Sequence, residues 1–322
     1  VTAQPLAVLP DGSDWTARLE SWRRSLRGRG LTDRSIQTYL VTGASLGRWC
    51  LARPRPVTDP VDVTRDHLEE YLEHLQTRIT RYGRKASPAA VAKEYRGLKV
   101  MFKWLAERED IKDPMTKIPA PLVPDTVVDT FADDELAALL AACKGRGFSD
   151  RRDHALIRVL LDTGVRLSEL AGMTVASADL NLGLITVSRE TSKGRRDRLV
   201  VLSPKTADAL DAYVTGARRR HPDRELDALW LAGSPHRGQL GVDGVRLLLQ
   251  RRGRLAGITG KVNPHRFRHT AAHQFLLAGG REGEAMTLFG WKSRSMVDRY
   301  GASGAQVRAI ATAQRLARGD RV

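Results

Sequence analysis

Residues 111–130, IKDPMTKIPAPLVPDTVVDT, hold four prolines and no apolar period. Proline has no amide hydrogen and disfavours helix in the residue before it, so no helix or sheet ladder passes through such a stretch. The run reads as a linker, and each side of it must bury a core of its own. A length of 322 residues permits this, because a single core stops growing at about 250–300 residues. The expected division is a tail at 1–12, a first domain at 13–113, a linker at 114–130 and a second domain at 131–322.

The first domain has helical periodicity throughout. Trp15, Leu19, Trp22 and Leu26 recur at three and four residues, one apolar face of a helix. Thr32 is placed to cap a second helix carrying Ile36, Tyr39, Leu40, Leu46 and Trp49. A third starts after Thr64 with Leu68, Tyr71, Leu72 and Leu75. Ser87-Pro88, a cap followed by a first-turn proline, opens a fourth through Val91, Tyr95, Leu98, Phe102 and Leu105. Together these predict a small four-helix bundle. The connection RITRYGRKASP, with Arg84 and Lys85, is either a phosphate-contacting loop or a solvated turn.

Beyond Phe131 helices resume, over Glu135–Leu140 and again around Ala155–Leu161. Two strands are predicted, LITVSRE (184–190) and DRLVVLS (197–203), paired as a hairpin. The fold class is mainly α: a helical bundle followed by a mostly α domain with a small antiparallel sheet.

Charge narrows the function. The chain has 53 Lys and Arg against 37 Asp and Glu, a formal +16. Residues 1–120 hold 21 against 15, so both domains are basic; the balance reads either as a grip on a polyanion from two sides or simply as a soluble protein of unusual pI. No apolar run reaches membrane-spanning length and the N-terminus has no signal-peptide pattern, so the expected location is cytoplasmic, at the nucleoid. Cys50 and Cys143 fit neither a disulfide framework nor a zinc spacing.

Four places in the second domain could carry chemistry. In DTGVRLSEL (162–170) a helix ends at Gly164 and Arg166 sits at the break; it is either a phosphate-binding fork or the partner of Glu169 three residues on. The turn TSKGRRDR (191–198) brings Lys193, Arg195, Arg196 and Arg198 together as a cationic finger able to lie in a DNA groove, or simply as a solvated turn. In NPHRFRHTAAHQFLLAGG (263–280), Pro264 suits a helix start and puts His265 and Arg268 in its first turn, where free amides also attract an anion. His265, His269 and His273 share a helical spacing, but no carboxylate or cysteine completes a metal set, so no metal or other cofactor is expected. In FGWKSRSMVDRYG (289–301), Gly290 ends a helix, Trp291 follows, Ser293 or Ser295 can cap a short element, and Tyr300 closes it. Alone, that tyrosine reads as a half-buried aromatic with a satisfied hydroxyl.

Taken in order and spacing, TGVRLSEL, the hairpin lysine, HRFRHT and LFGWKSRSMVDRY resemble the tyrosine recombinase (phage integrase) family over residues 13–310. The resemblance implies a SAM-like core-binding domain and a catalytic domain of the DNA breaking-rejoining fold, without a preceding arm-binding domain. It implies Arg166, Lys193, His265, Arg268, Trp291 and Tyr300 as catalytic, Glu169 as supporting, and Arg84, Lys85, Arg195 and Arg196 as DNA-contacting. Trp291 stands where most members have histidine; its indole can donate a hydrogen bond but cannot transfer a proton. The implied activity is site-specific recombination of double-stranded DNA through a 3′-phosphotyrosyl link and a Holliday junction, without metal or ATP. A homotetramer on core sites, joined by a C-terminal helix at 303–319 docking on a neighbour or in cis, and an accessory directionality factor are the implied partners. A type IB topoisomerase and an inactive DNA-binding regulator of the same fold are the competing readings.

Overall fold

The computed structural model describes residues 9, 13–80, 83–124, 129–188, 197–297, 309–310 and 313–314. The chain forms two compact units, Val1–Thr126 and Val127–Val322.

In the first unit, helices α1 (Asp14–Gly28), α2 (Asp33–Leu51), α3 (Arg65–Thr77) and α4 (Pro88–Glu109) follow one another as the periodicity predicts. Trp15, Leu19, Trp22 and Leu26 of α1 are all buried, as are Leu68, Tyr71, Leu72 and Leu75 of α3. The caps are real hydrogen bonds: Thr32 Oγ1 accepts from the Ser35 amide at 3.3 Å, Thr64 Oγ1 from His67 at 3.4 Å and Ser87 Oγ from Ala90 at 3.2 Å. Gly97 lets α4 close on α2, because a Cβ there would stand 2.9 Å from Thr42 Cγ2. The proline-rich stretch begins inside this unit. Met115 and Ile118 are buried in its core, and Tyr95 Oη donates to the Ile118 carbonyl at 2.7 Å.

The second unit contains α5 (Asp133–Ala141), α6 (Phe148–Thr163), the single turn α7 (Leu167–Ala171), α8 (Pro204–Asp211), α9 (Val242–Leu255), α10 (Pro264–Leu277) and α11 (Glu282–Phe289). Its core centres on α6, whose Ala155, Leu156, Ile157, Val159 and Leu160 are fully enclosed. The sheet is antiparallel with order β1-β2-β3, from β1 (Ala178–Asp179), β2 (Leu184–Val187) and β3 (Arg198–Val201). Ile185 pairs with Val200 and Val187 with Arg198, which places Ile185, Val187 and Val200 toward the core and Leu199 and Val201 toward solvent. The two predicted strands are therefore present as a four-residue pair, with residues 189–196 outside the described part; β1, only two residues long, adds a third strand that has too little sequence to show a period.

One buried ionic cluster braces this unit. Asp153, with no exposed surface, accepts from Arg152 and Arg252 at 2.8 Å each and from Arg251 at 2.9 Å. These bonds join the start of α6 to α9. Among the described residues no helix is long and apolar enough to cross a membrane.

Candidate active site

The site is built on the junction of α6 and α7. α6 stops because Gly164 takes the left-handed conformation (φ 53°, ψ 26°), which a side chain resists. A Cβ at Gly164 would also lie 2.9 Å from Phe289 Cε1 and 3.1 Å from Ala271 Cβ, so the glycine lets α10 and α11 close on the junction. Two residues on, Arg166 is the N-cap of α7. Its amide donates to Glu169 Oε2 at 2.9 Å and its Nη1 to Glu169 Oε1 at 2.8 Å. The same carboxylate is gripped from β3, Arg198 Nη1 reaching Oε1 at 3.1 Å and Nη2 reaching Oε2 at 2.6 Å. Glu169 has no exposed surface. Burial acts to raise its pKa, but hydrogen bonds from Arg198 and Arg166, with the charge of Arg198, outweigh this and hold it below the usual carboxylate range.

α10 delivers Arg268. Asn263 caps that helix, its Oδ1 accepting from the Arg266 amide at 3.1 Å, and Pro264 occupies the first turn. Arg268 is buried, 3% exposed, and its Nη1 donates to the Gly164 carbonyl at 2.7 Å. His265, one turn earlier, is exposed. Arg266 turns away: it donates to the Thr130 carbonyl and Glu135, pairs with Asp129 and lies over the Phe131 ring.

These elements meet at the carboxyl end of α11. The last carbonyls of a helix have no partner within it and carry the negative end of its dipole. Here three successive carbonyls are each met by a different arginine: Leu288 by Arg198 Nε at 2.9 Å, Phe289 by Arg268 Nη2, and Gly290 by Arg166 Nη2 at 2.9 Å. Gly290, left-handed at φ 60°, turns the chain out of the helix into Trp291. The Trp291 ring is buried, stacks on Phe289 at 5.1 Å and lies 5.7 Å from the Arg268 guanidinium. It therefore faces the guanidinium with its π surface, a cation–π contact.

Of the residues singled out in the sequence, Arg166, Glu169, Arg268 and Trp291 come together at this helix end. His265 is on the same helix as Arg268. Arg166 pairs with Glu169, the second of its two readings, and keeps 25% of its side chain exposed. Arg198 does not belong to a cationic finger: its side chain is 8% exposed and points inward, because on β3 it shares a face with Val200 two residues later. That alternation was the signal the turn's composition hid. Lys193, Arg195, Arg196 and Tyr300 lie outside the described residues, as does most of 303–319. The described chain reaches a helical turn at 294–297, where the Met296 amide donates to the Ser293 carbonyl at 3.2 Å. Arg84 and Lys85 are exposed on the first unit. Among the described residues no group of His, Cys, Asp or Glu is placed to hold a metal ion.

The second unit is thus a mostly helical domain with a small antiparallel sheet that gathers arginines from separate segments at one helix end, and its relatives are tyrosine recombinases, enzymes that break and rejoin DNA. The chain belongs to the phage integrase family: residues 129–306 match that family and residues 19–111 match its N-terminal SAM-like domain. It is 29% identical over 275 residues to tyrosine recombinase XerC 2 of Ralstonia nicotianae, covering 83% of this chain and 74% of that one. It is 25% identical over 290 residues to tyrosine recombinase XerC of Myxococcus xanthus, covering 88% and 91%. The fold is also that of the Tn1549 transposon integrase in complex with transposon right end DNA, with TM-score 0.70, 20% identity and coverage of 93% and 99%. The XerH site-specific recombinase in its post-cleavage complex gives TM-score 0.69 at 15% identity, covering 96% and 92%.

Proposed function

We propose that this recombinase cuts and rejoins specific double-stranded DNA sites by transient attachment of one strand to Tyr300. The observation that carries the reading is the convergence of Arg166 and Arg268 on adjacent carbonyls of one helix end. A phosphodiester repels nucleophiles through its own negative charge. Two guanidinium groups on its non-bridging oxygens offset that charge and stabilise the five-coordinate transition state. The phenol oxygen of Tyr300 attacks phosphorus while His265 takes its proton, and the bond to the 5′-oxygen breaks as Lys193 protonates that oxygen. The products are a 3′-phosphotyrosyl ester and a free 5′-hydroxyl. Because the ester linkage is conserved, a 5′-hydroxyl from a second duplex can reverse the step without ATP; two such exchanges pass through a Holliday junction.

Support for DNA as the partner comes from the basic balance of both units and from the structural relatives, which include a lambda integrase dimer bound to a core site. Residues 13–113, with Arg84 and Lys85 against phosphate, and residues 131–322, with Arg195 and Arg196 added, would each contact the duplex, the stretch 114–130 joining them. A tetramer linked by residues 303–319, action at the nucleoid and a directionality factor belong to the same proposal.

The test begins by covalent capture of nicked duplexes from a random-sequence pool. A captured duplex then serves as suicide substrate. The expected result is a denaturation-resistant adduct with the native chain and none with Tyr300→Phe, at similar DNA affinity. An adduct persisting in Tyr300→Phe overturns the assignment, and relaxation of a supercoiled plasmid lacking the captured site points to a topoisomerase instead.

A further inference from the structure

Arg198 is the arginine that the reaction above leaves without a task. Its guanidinium alone makes two bonds to the Glu169 carboxylate and one to the Leu288 carbonyl, where Arg166 uses its backbone amide for one of its two to the carboxylate. Its side chain is 8% exposed, against 25% for Arg166. The two cations on this carboxylate thus differ in access: one is enclosed and the other faces outward. A Cβ at Gly290 would lie 3.3 Å from Arg198 Nη1 and 3.5 Å from Arg166 Nη1, so both guanidinium groups pack beneath the same glycine.

We propose that Arg198 is a positioning residue: by neutralising Glu169 from β3, it leaves the charge of Arg166 available to the scissile phosphate and keeps that guanidinium turned toward it. This rests on Arg166 being a phosphate-binding arginine. The electrostatics are simple. Two guanidinium charges on one carboxylate leave one positive charge over; without Arg198 the buried carboxylate claims Arg166 entirely and none is left. A carboxylate with no exposed surface has no water to turn to, so its demand on the remaining cation is strong. The Leu288 bond adds geometry, fixing β3 to the helix end that also orients Arg166.

The experiment compares two suicide substrates, one with the native scissile phosphate and one with an uncharged methylphosphonate there. Adduct formation is followed in single turnovers at saturating DNA for the native chain, Arg198→Met, Arg198→Lys, Arg166→Ala and the double variant Arg198→Met with Glu169→Gln. Arg198→Met should slow attack on the native phosphate on the order of tenfold to a hundredfold, the range of a charge-assisted hydrogen bond. On the methylphosphonate most of that deficit should vanish, because there is no charge left to offset. Arg198→Lys should fall between the two, and removing the Glu169 charge alongside should restore part of the lost rate. The ratio of the two substrates is internal to each variant, so it does not depend on the fraction folded. An equal deficit on both substrates, with no recovery in the double variant, reduces Arg198 to a brace and overturns the proposal. A normal rate for Arg166→Ala on the native phosphate instead overturns the reading of Arg166 on which it rests.

Discussion

Arg166 and Arg268 donate to the carbonyl oxygens of neighbouring residues, Gly290 and Phe289, although they come from segments far apart in the chain. The spacing of the two guanidinium groups is therefore set by a single step of backbone. For Arg268 the frame has a second side, since the same group also donates to Gly164 at the end of α6.

This makes Arg268→Lys a sharp test. A lysine ammonium is one point charge and cannot span two carbonyls as the planar fork does. Adduct formation should fall about a hundredfold, the scale of losing one oriented donor at a developing oxyanion. Gel-shift affinity for the captured site should change little. An equal loss of affinity and rate would mean that Arg268 contributes ground-state binding only.

Gly164→Ala should cost about 1–2 kcal/mol from the left-handed backbone alone, and more from the contact with Phe289. Urea denaturation reads the stability. Because the displaced carbonyl is the acceptor for Arg268, adduct formation should fall further than stability explains when both are measured well below the transition.

Glu169 gives the second unit an acid sensitivity of known sign. Its carboxyl titrates lower in the folded chain than the 4.5 of a free side chain, so its contribution to stability is complete above that value and is lost as pH falls through the folded pKa. Urea midpoints for the native chain and Glu169→Gln should differ by a constant amount from pH 7 to about 5 and converge in stronger acid. A difference that stays unchanged down to pH 3, roughly a unit below ordinary carboxylates, would contradict the depressed titration.

Asp153→Ala should destabilise the second unit by about 3 kcal/mol or more, because Arg152 and Arg252 would remain buried without their common acceptor. Calorimetry reads the loss. Since none of these groups reaches the end of α11, adduct formation by the folded fraction at low temperature should be unaltered, in contrast to every substitution around Glu169.

Much of this was legible in the sequence, for local reasons. Thr32, Thr64 and Ser87 cap the helices they precede, and Gly164 and Gly290 end theirs, because capping hydroxyls and left-handed glycines act over a few residues. Arg198 was misjudged because a run of basic residues looks like a solvated turn, and only the strand alternation with Val200 turns it inward. β1 is too short to show any period. The meeting of three arginines with Leu288, Phe289 and Gly290 involves backbone acceptors, which no side-chain motif records. Trp291 was legible as a departure, but its role as a π surface against Arg268 depends on the stacking with Phe289.

The carboxyl end of α11 acts as a common anchor for arginines supplied by α10, β3 and the α6–α7 junction. Sliding or fraying that helix by one residue would unseat all of them together. A lesion in its apolar underside, at Ala285 or Phe289, can therefore mimic the loss of Arg166, Arg198 and Arg268 together while every one of them is still present.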